Sequence, residues 1–224
     1  MHGAIRGYRG STAVFLTVFF LFLAAFFVSV RAHCAEASPI GPPLGAAEAS
    51  LALERLSAIQ AGITSMTGRT VQKKTAPLLE GVVRTEGRIW TARPAYLRWE
   101  IERPERLVIV ADAESMTVYR PKAREATRRY LANDVTARYM MDFFSSGMKL
   151  SMDGLSKRFS VAVYSQAAST VVELRPKSKV AGRFLKKAVI AYGRDGMPLR
   201  FEVENANGAL TVTELSEVVV NRDL

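Results

Sequence analysis

Between Tyr96 and Glu102 apolar and charged side chains alternate strictly, with Leu97, Trp99 and Ile101 on one side and Arg98, Glu100 and Glu102 on the other. A period of two is the signature of a strand with one buried face. Similar short runs occur at Thr70–Lys74, Leu79–Glu86, Arg88–Ala92, Leu107–Asp112, Met116–Arg120 and Glu125–Leu131. Pro77, Gly87, Pro94, Pro104, Ala113-Glu114 and Pro121 separate them, a spacing that predicts an antiparallel meander. Ahead of these runs the period differs. From Ala46 to Met66, Leu53, Leu56, Ile59 or Gln60, and Ile63 recur at helical spacing, which predicts an amphipathic helix ending near Gly68.

A second helix is expected over Asn133–Met148, where Asn133 or Asp134 can cap the start and Gly147 ends it. Strands are then expected at Phe159–Tyr164, Val171–Arg175, Lys186–Tyr192, Leu199–Asn205 and Leu210–Val220. Arg194-Asp195-Gly196 and Asn205-Ala206-Asn207-Gly208 read as hairpin turns among them. A long antiparallel sheet curls and hides its apolar face against other elements. The expected fold class is therefore mainly β with helices (α+β): a strongly curved antiparallel sheet forming an unclosed β-barrel, covered by an N-terminal helix and a lid helix.

The front of the chain has a different character. Arg6 and Arg9 precede an uncharged apolar stretch from Ser11 to Val30, and Ala35-Glu36-Ala37 offers a cleavage site of small residues. This is the pattern of a secretory leader. The expected organisation is a signal peptide over 1–37, a flexible Pro- and Gly-containing linker over 38–46 and one domain over 47–224. The stretch is also long enough to span a bilayer as an uncleaved anchor. Acylation of Cys34 is rejected, because Arg31 and His33 break the lipobox pattern. About 185 residues remain after the leader, enough for one substantial core.

Cleavage would carry away every histidine and the one cysteine, His2, His33 and Cys34. That excludes most nucleophilic, imidazole and transition-metal chemistry, so no catalytic residue, metal or cofactor is expected. The net charge of +10 becomes +8 once Arg6, Arg9, Arg31 and Glu36 are removed. The charges are scattered and lack aromatic interleaving, so no nucleic-acid partner is expected. Asp112, Asp142 and Asp195 are the noticeable carboxylates, none at a spacing that suggests acid–base work, and Asp195 reads as a turn residue. Ser156-Lys157 is adjacent rather than spaced for mutual activation.

What remains is apolar. Met140, Met141, Phe143, Phe144 and Met148 make an oily helix, read either as an ordinary core helix or as a lid over an apolar cavity. Flexible, polarisable methionine suits a lining that repacks around variable ligands, and Met116 and Met152 could join it. Trp90 and Trp99 read as core anchors, Trp99 also as a cavity wall. Arg93 precedes Pro94 between two strands; it either points to water in a turn or uses its planar fork to satisfy several carbonyls of another element.

The run Gly87-Arg88-Ile89-Trp90-Thr91-Ala92-Arg93-Pro94-Ala95-Tyr96-Leu97-Arg98-Trp99 resembles the signature of the LolA family of outer-membrane lipoprotein carriers. The likeness extends through Pro104, Val108–Asp112 and Val118–Pro121, and to Gly68, Gln72, Lys73, Leu174–Lys177 and Arg194–Gly196. The family's usual glycine after the Val-x-Asp strand is Ala113 here. The resemblance implies an unclosed barrel whose concave side binds lipoprotein acyl chains in the periplasm. It makes Arg93 the lid tether, Leu97 an apolar wall, and Tyr139, Met140, Phe143 and Phe144 part of the lid. It also implies acylated lipoproteins or other lipids as cargo, an inner-membrane release complex and an outer-membrane acceptor as partners, and a monomer. The rival reading is a lipid- or lipoprotein-sensing interaction module held by the uncleaved N-terminal segment.

Overall fold

The structure is a computed structural model that describes residues 41–77, 79–131, 152–166 and 168–222. The leader, most of the linker and the helix expected over Asn133–Met148 lie outside the described residues. Among the described residues α1 (Ala46–Ala61) comes first, followed by β1 (Ser65–Thr75), β2 (Val83–Ala92), β3 (Tyr96–Arg103), β4 (Leu107–Ala111), β5 (Ser115–Arg120) and β6 (Glu125–Tyr130). The short helix α2 (Met152–Ser156) leads into β7 (Phe159–Gln166) and β8 (Ser169–Pro176). Then come α3 (Lys179–Gly182), β9 (Leu185–Gly193), β10 (Pro198–Asn205) and β11 (Leu210–Val220).

The strands form one 11-stranded sheet in the order β6-β5-β4-β3-β2-β1-β11-β10-β9-β8-β7, every neighbouring pair antiparallel. Two sequential meanders, β1–β6 and β7–β11, meet at a central seam where the first strand pairs with the last. Gly68 sits at an irregularity in that seam, between Thr67↔Val219 and Arg69↔Ser216. A Cβ there would lie 3.3 Å from the Ser216 carbonyl oxygen, a tight approach that the absence of a side chain permits.

Two boundaries differ from the sequence expectation. The helix ends at Ala61, not near Gly68, because Ser65, Met66 and Thr67 are taken by ladder pairing with Ala92, Thr91 and Trp90. Gly87, expected to break a strand, lies inside β2. Its alpha carbon faces β3 so closely that a Cβ would sit 2.0 Å from the Glu100 carbonyl oxygen, and the β2–β3 register shifts beside it. Here glycine marks a bulge rather than a turn. The runs Leu79–Glu86 and Arg88–Ala92 are thus one strand, and six strands precede β7 among the described residues.

The face of the sheet that meets α1 carries two apolar clusters. Ala49, Leu53 and Leu56 of α1 pack on Val163, Val172, Leu174, Ala188, Ile190 and Tyr192 of β7–β9. Leu53, Val172 and Leu174 are fully buried, so this half is a filled core. The second cluster joins Met66, Ile89, Trp99, Ile101, Ile109 and Leu215 across β1–β4 and β11, and Ile63, just past the end of α1, completes it. The opposite face of β1–β3 is laced with ion pairs, Arg98–Glu100 and Arg103–Glu86 among them.

Candidate functional site

Register places the apolar side chains of β3–β5 in rows. Leu97 and Met116 flank Ala111, and Trp99 and Val118 flank Ile109. Ile89 extends the second row through its pairing with Trp99. Leu97, Leu107, Met116 and Val118 are half-buried against the cluster that Trp99 and Ile109 anchor. The Trp99 indole N–H donates to Thr70 Oγ1 at 3.0 Å, which satisfies its polar edge and fixes the ring on this face. Of α1 and its exit, only Ile63 reaches this cluster; the helix body lies on the other half of the sheet.

Arg93 sits in the β2–β3 turn and works on the end of α1. Its Nε donates to the Ile63 carbonyl at 2.7 Å and its Nη2 to the Gln60 carbonyl at 2.8 Å. Its backbone N–H donates to Thr64 O at 2.9 Å. The last carbonyls of a helix have no partner within the helix, and a cation near them also meets the negative end of the helix dipole. The planar fork reaches one of these oxygens, on Gln60, and the Ile63 carbonyl just beyond the helix at once, the behaviour expected of arginine and not of lysine.

Three further residues complete this clamp. Gln60 is buried, and its side-chain amide donates to Gly196 O in the β9–β10 turn. Gly196 has φ +73°, and Ile59 Cδ1 lies 2.8 Å from where its Cβ would be, so both backbone and space call for glycine. Asn221, just past β11, donates from Nδ2 to Gly62 O at 2.9 Å and accepts from the Thr64 N–H at 2.8 Å. The exit of α1 is thereby fastened to the β2–β3 turn, the β9–β10 turn and the chain after β11. Sequence reasoning named Arg93 and the Arg194–Gly196 turn but missed the roles of Gln60 and Asn221. An Asn directly after a β-branched run, tolerant of the left-handed conformation it adopts (φ 57°), was the available signal.

Of the eight expected cavity and lid residues, Arg93, Leu97, Trp99 and Met116 fall on the β1–β5 half of the sheet: the last three on its apolar face, Arg93 at its rim. Tyr139, Met140, Phe143 and Phe144 lie outside the described residues. Asp112 turns out to serve a turn: its Oδ1 accepts from the Glu114 and Ser115 N–H groups at 2.8 and 2.7 Å. Those two backbone bonds hold its carboxyl below the usual range. Asp195 accepts from the Met197 N–H in the same manner. Among the described residues no group of three or more His, Cys, Asp or Glu side chains is placed to hold a metal ion.

An open antiparallel sheet with one apolar face, an N-terminal helix packed on half of that face and a tether at the helix exit defines the class of architecture. The family model described as "Outer membrane lipoprotein carrier protein LolA" matches residues 61–224, and the chain belongs to this family. An outer-membrane lipoprotein carrier protein of Chromohalobacter salexigens is 25% identical over 186 residues, spanning 81% of this chain and 83% of the relative. One from Bordetella avium is 25% identical over 185 residues, spanning 83% and 84%. A LolA superfamily protein from Nitrosomonas europaea, known from its crystal structure, aligns over 78% of this chain and 94% of its own with 13% identity and a TM-score of 0.40. Proteins of the family are periplasmic, non-enzymatic carriers.

Proposed function

We propose that this chain is a periplasmic carrier that takes up the acyl chains of lipoproteins on the β1–β5 half of its apolar face and ferries them toward the outer membrane. The observation that carries the reading is the unequal treatment of that face. The β7–β9 half is filled by α1, whereas the rows of Leu97, Trp99, Met116 and Val118 receive only Ile63 from it. In this reading the sheet curls into an unclosed barrel and Tyr139, Met140, Phe143 and Phe144 cap the hollow. Each methylene removed from water stabilises the complex by about 0.8 kcal/mol, so a modest hollow suffices to hold several chains. A carrier must also surrender its load. The Arg93 clamp supports reversibility: its bonds favour the closed, empty form, and breaking them on loading offsets part of the gain from burying hydrocarbon.

The two tryptophans supply the test. Trp99 belongs to the apolar face, and Trp90, one residue on from Ile89 in β2, faces the opposite way. In the Trp90→Phe variant, a lipopeptide with brominated acyl chains should quench Trp99 fluorescence on binding. In Trp99→Phe it should leave Trp90 emission largely unchanged. Binding without quenching of Trp99, or equal quenching of both rings, would refute the assignment of this face.

A further inference from the structure

The connection from β8 to β9, which contains α3, mixes cations with exposed apolar side chains. The chain carries no acidic residue between Glu173 and Asp195. Lys177, Lys179, Arg183 and Lys186 fall in that stretch, all exposed. Between them Val180 is 56% exposed and Phe184 36%. The connection is braced on both sides. Ser178 Oγ accepts from the Val180 and Ala181 N–H groups at 3.2 and 3.5 Å and caps α3. The Phe184 N–H donates to Ala181 O at 3.0 Å, and Phe184 O accepts from the Ala206 N–H of the β10–β11 turn at 3.0 Å. The Lys177 N–H donates to Arg158 O at 2.9 Å and its Nζ to Ser156 O at 2.6 Å. These bonds bring the exposed pair Lys157 and Arg158, just before β7, alongside. Lys186 pairs with Glu204, whereas Lys179 and Arg183 make no ion pair among the described residues. The patch stands at the end of β9 away from the β9–β10 turn, and so away from the Arg93 clamp.

We infer that this connection docks the protein on a bilayer surface bearing anionic phospholipid. Lys179 and Arg183 lie on the lipid phosphates, and Val180 and Phe184 reach the boundary between head groups and acyl chains. A single exposed apolar residue calls for no explanation. Two of them, four positions apart on a capped and braced turn, are displayed rather than left over. Cations alone would suit any acidic surface. The apolar pair among them has a use where hydrocarbon begins just beneath the charge, and long basic side chains can lie along apolar surface while their heads stay with the phosphates. This surface uses none of the residues assigned to cargo, so it holds whatever the Leu97–Met116 face carries. It gives a periplasmic carrier a way to dwell at a membrane between encounters.

The test is flotation of the exported protein with phosphatidylcholine vesicles and with mixed phosphatidylcholine–phosphatidylglycerol vesicles. The N-terminal segment is common to all variants, so differences between them read the patch. The expected result is binding to the mixed vesicles that weakens in high salt. Lys179→Gln with Arg183→Gln should reduce it about 30-fold. Lys122→Gln with Arg124→Gln removes the same charge from the exposed β5–β6 turn and should change it by less than about twofold. Val180→Ser with Phe184→Ser changes no charge and should reduce it about tenfold. Absence of binding to the mixed vesicles overturns the docking surface. Equal losses from the two glutamine pairs mark net charge alone and overturn it as well. Full binding by the serine pair leaves only an acidic-surface contact and overturns the bilayer assignment. Release by soluble glycerol 3-phosphate marks a free-anion site and overturns it too. All four substituted positions of the patch are exposed, and urea unfolding that matches the unmutated protein ties any loss to the surface.

Discussion

The Arg93 clamp makes a quantitative statement about the end of α1. Replacing Arg93 with Leu removes two charge-assisted bonds, to Ile63 O and Gln60 O, but leaves the backbone bond from residue 93 to Thr64 O and the Asn221 bond to Gly62 O. Arg93 itself is exposed, so water replaces part of what is lost and the low end of the charged-bond range applies: about 1.5 kcal/mol each, about 3 kcal/mol together. That corresponds to a rise of about 100-fold in the local opening equilibrium of the helix exit. Native-state hydrogen exchange reads this directly. The Ile63 amide, bonded to Gln60 O, should lose about two orders of magnitude of protection, and the amide of fully buried Leu53 far less. Arg93→Lys should fall between, because a single ammonium cannot span both carbonyls. Ile63 protection in Arg93→Leu within about threefold of wild type would refute the clamp as an energetic tie. Since the lost bonds favour the empty form, the same variant should load lipopeptide normally and release it more slowly to an acceptor; unchanged release would separate the clamp from cargo transfer.

Three other positions yield sharp expectations. Gly87→Ala drives a methyl group into the Glu100 carbonyl, so β2 and β3 must separate; the variant should be recovered mainly as aggregate, and a soluble, cooperatively melting Ala variant would contradict the close approach. Lys74→Met should raise stability at pH 7, because burial lowers the ammonium from 10.5 to about 8. The depressed lysine imposes its full cost below pH 8, and the cost fades as pH rises from 8 through 10.5, so urea titrations of the two proteins should converge in that window. Asp112→Asn should destabilise the β4–β5 turn at neutral pH. Because the Asp112 carboxyl lies below its ordinary range when folded, its contribution is present above that range and is lost as pH falls; a difference from wild type that persists in strong acid would contradict this.

The strands after Met152 and the alternation of β3 were legible because period-two patterning needs only neighbours in sequence. The glycines were harder. Gly87 and Gly196 look alike on paper, yet one lies inside a strand against a facing carbonyl and the other in a turn under Ile59. Only the partner strand or helix distinguishes them. The exit of α1 was misjudged for a related reason: helical spacing continues to Ile63, and the residues that stop the helix, in β2 and β11, are distant in sequence. Arg93 was legible as a fork seeking carbonyls, but not as a ligand of α1. Lys74 was hidden in the pair Lys73-Lys74, which reads as surface charge until register assigns the two to opposite faces.

The seam between β1 and β11 has a consequence for how the molecule is assembled. Each meander contains its own hairpins and can form from nearby pairings, but the bond between the halves, like that between Thr64 and Asn221, joins residues 157 positions apart. Closure over such a span comes late and slowly compared with local hairpins. During synthesis the N-terminal half therefore waits with the inner edge of β1 unpaired until β11 is made.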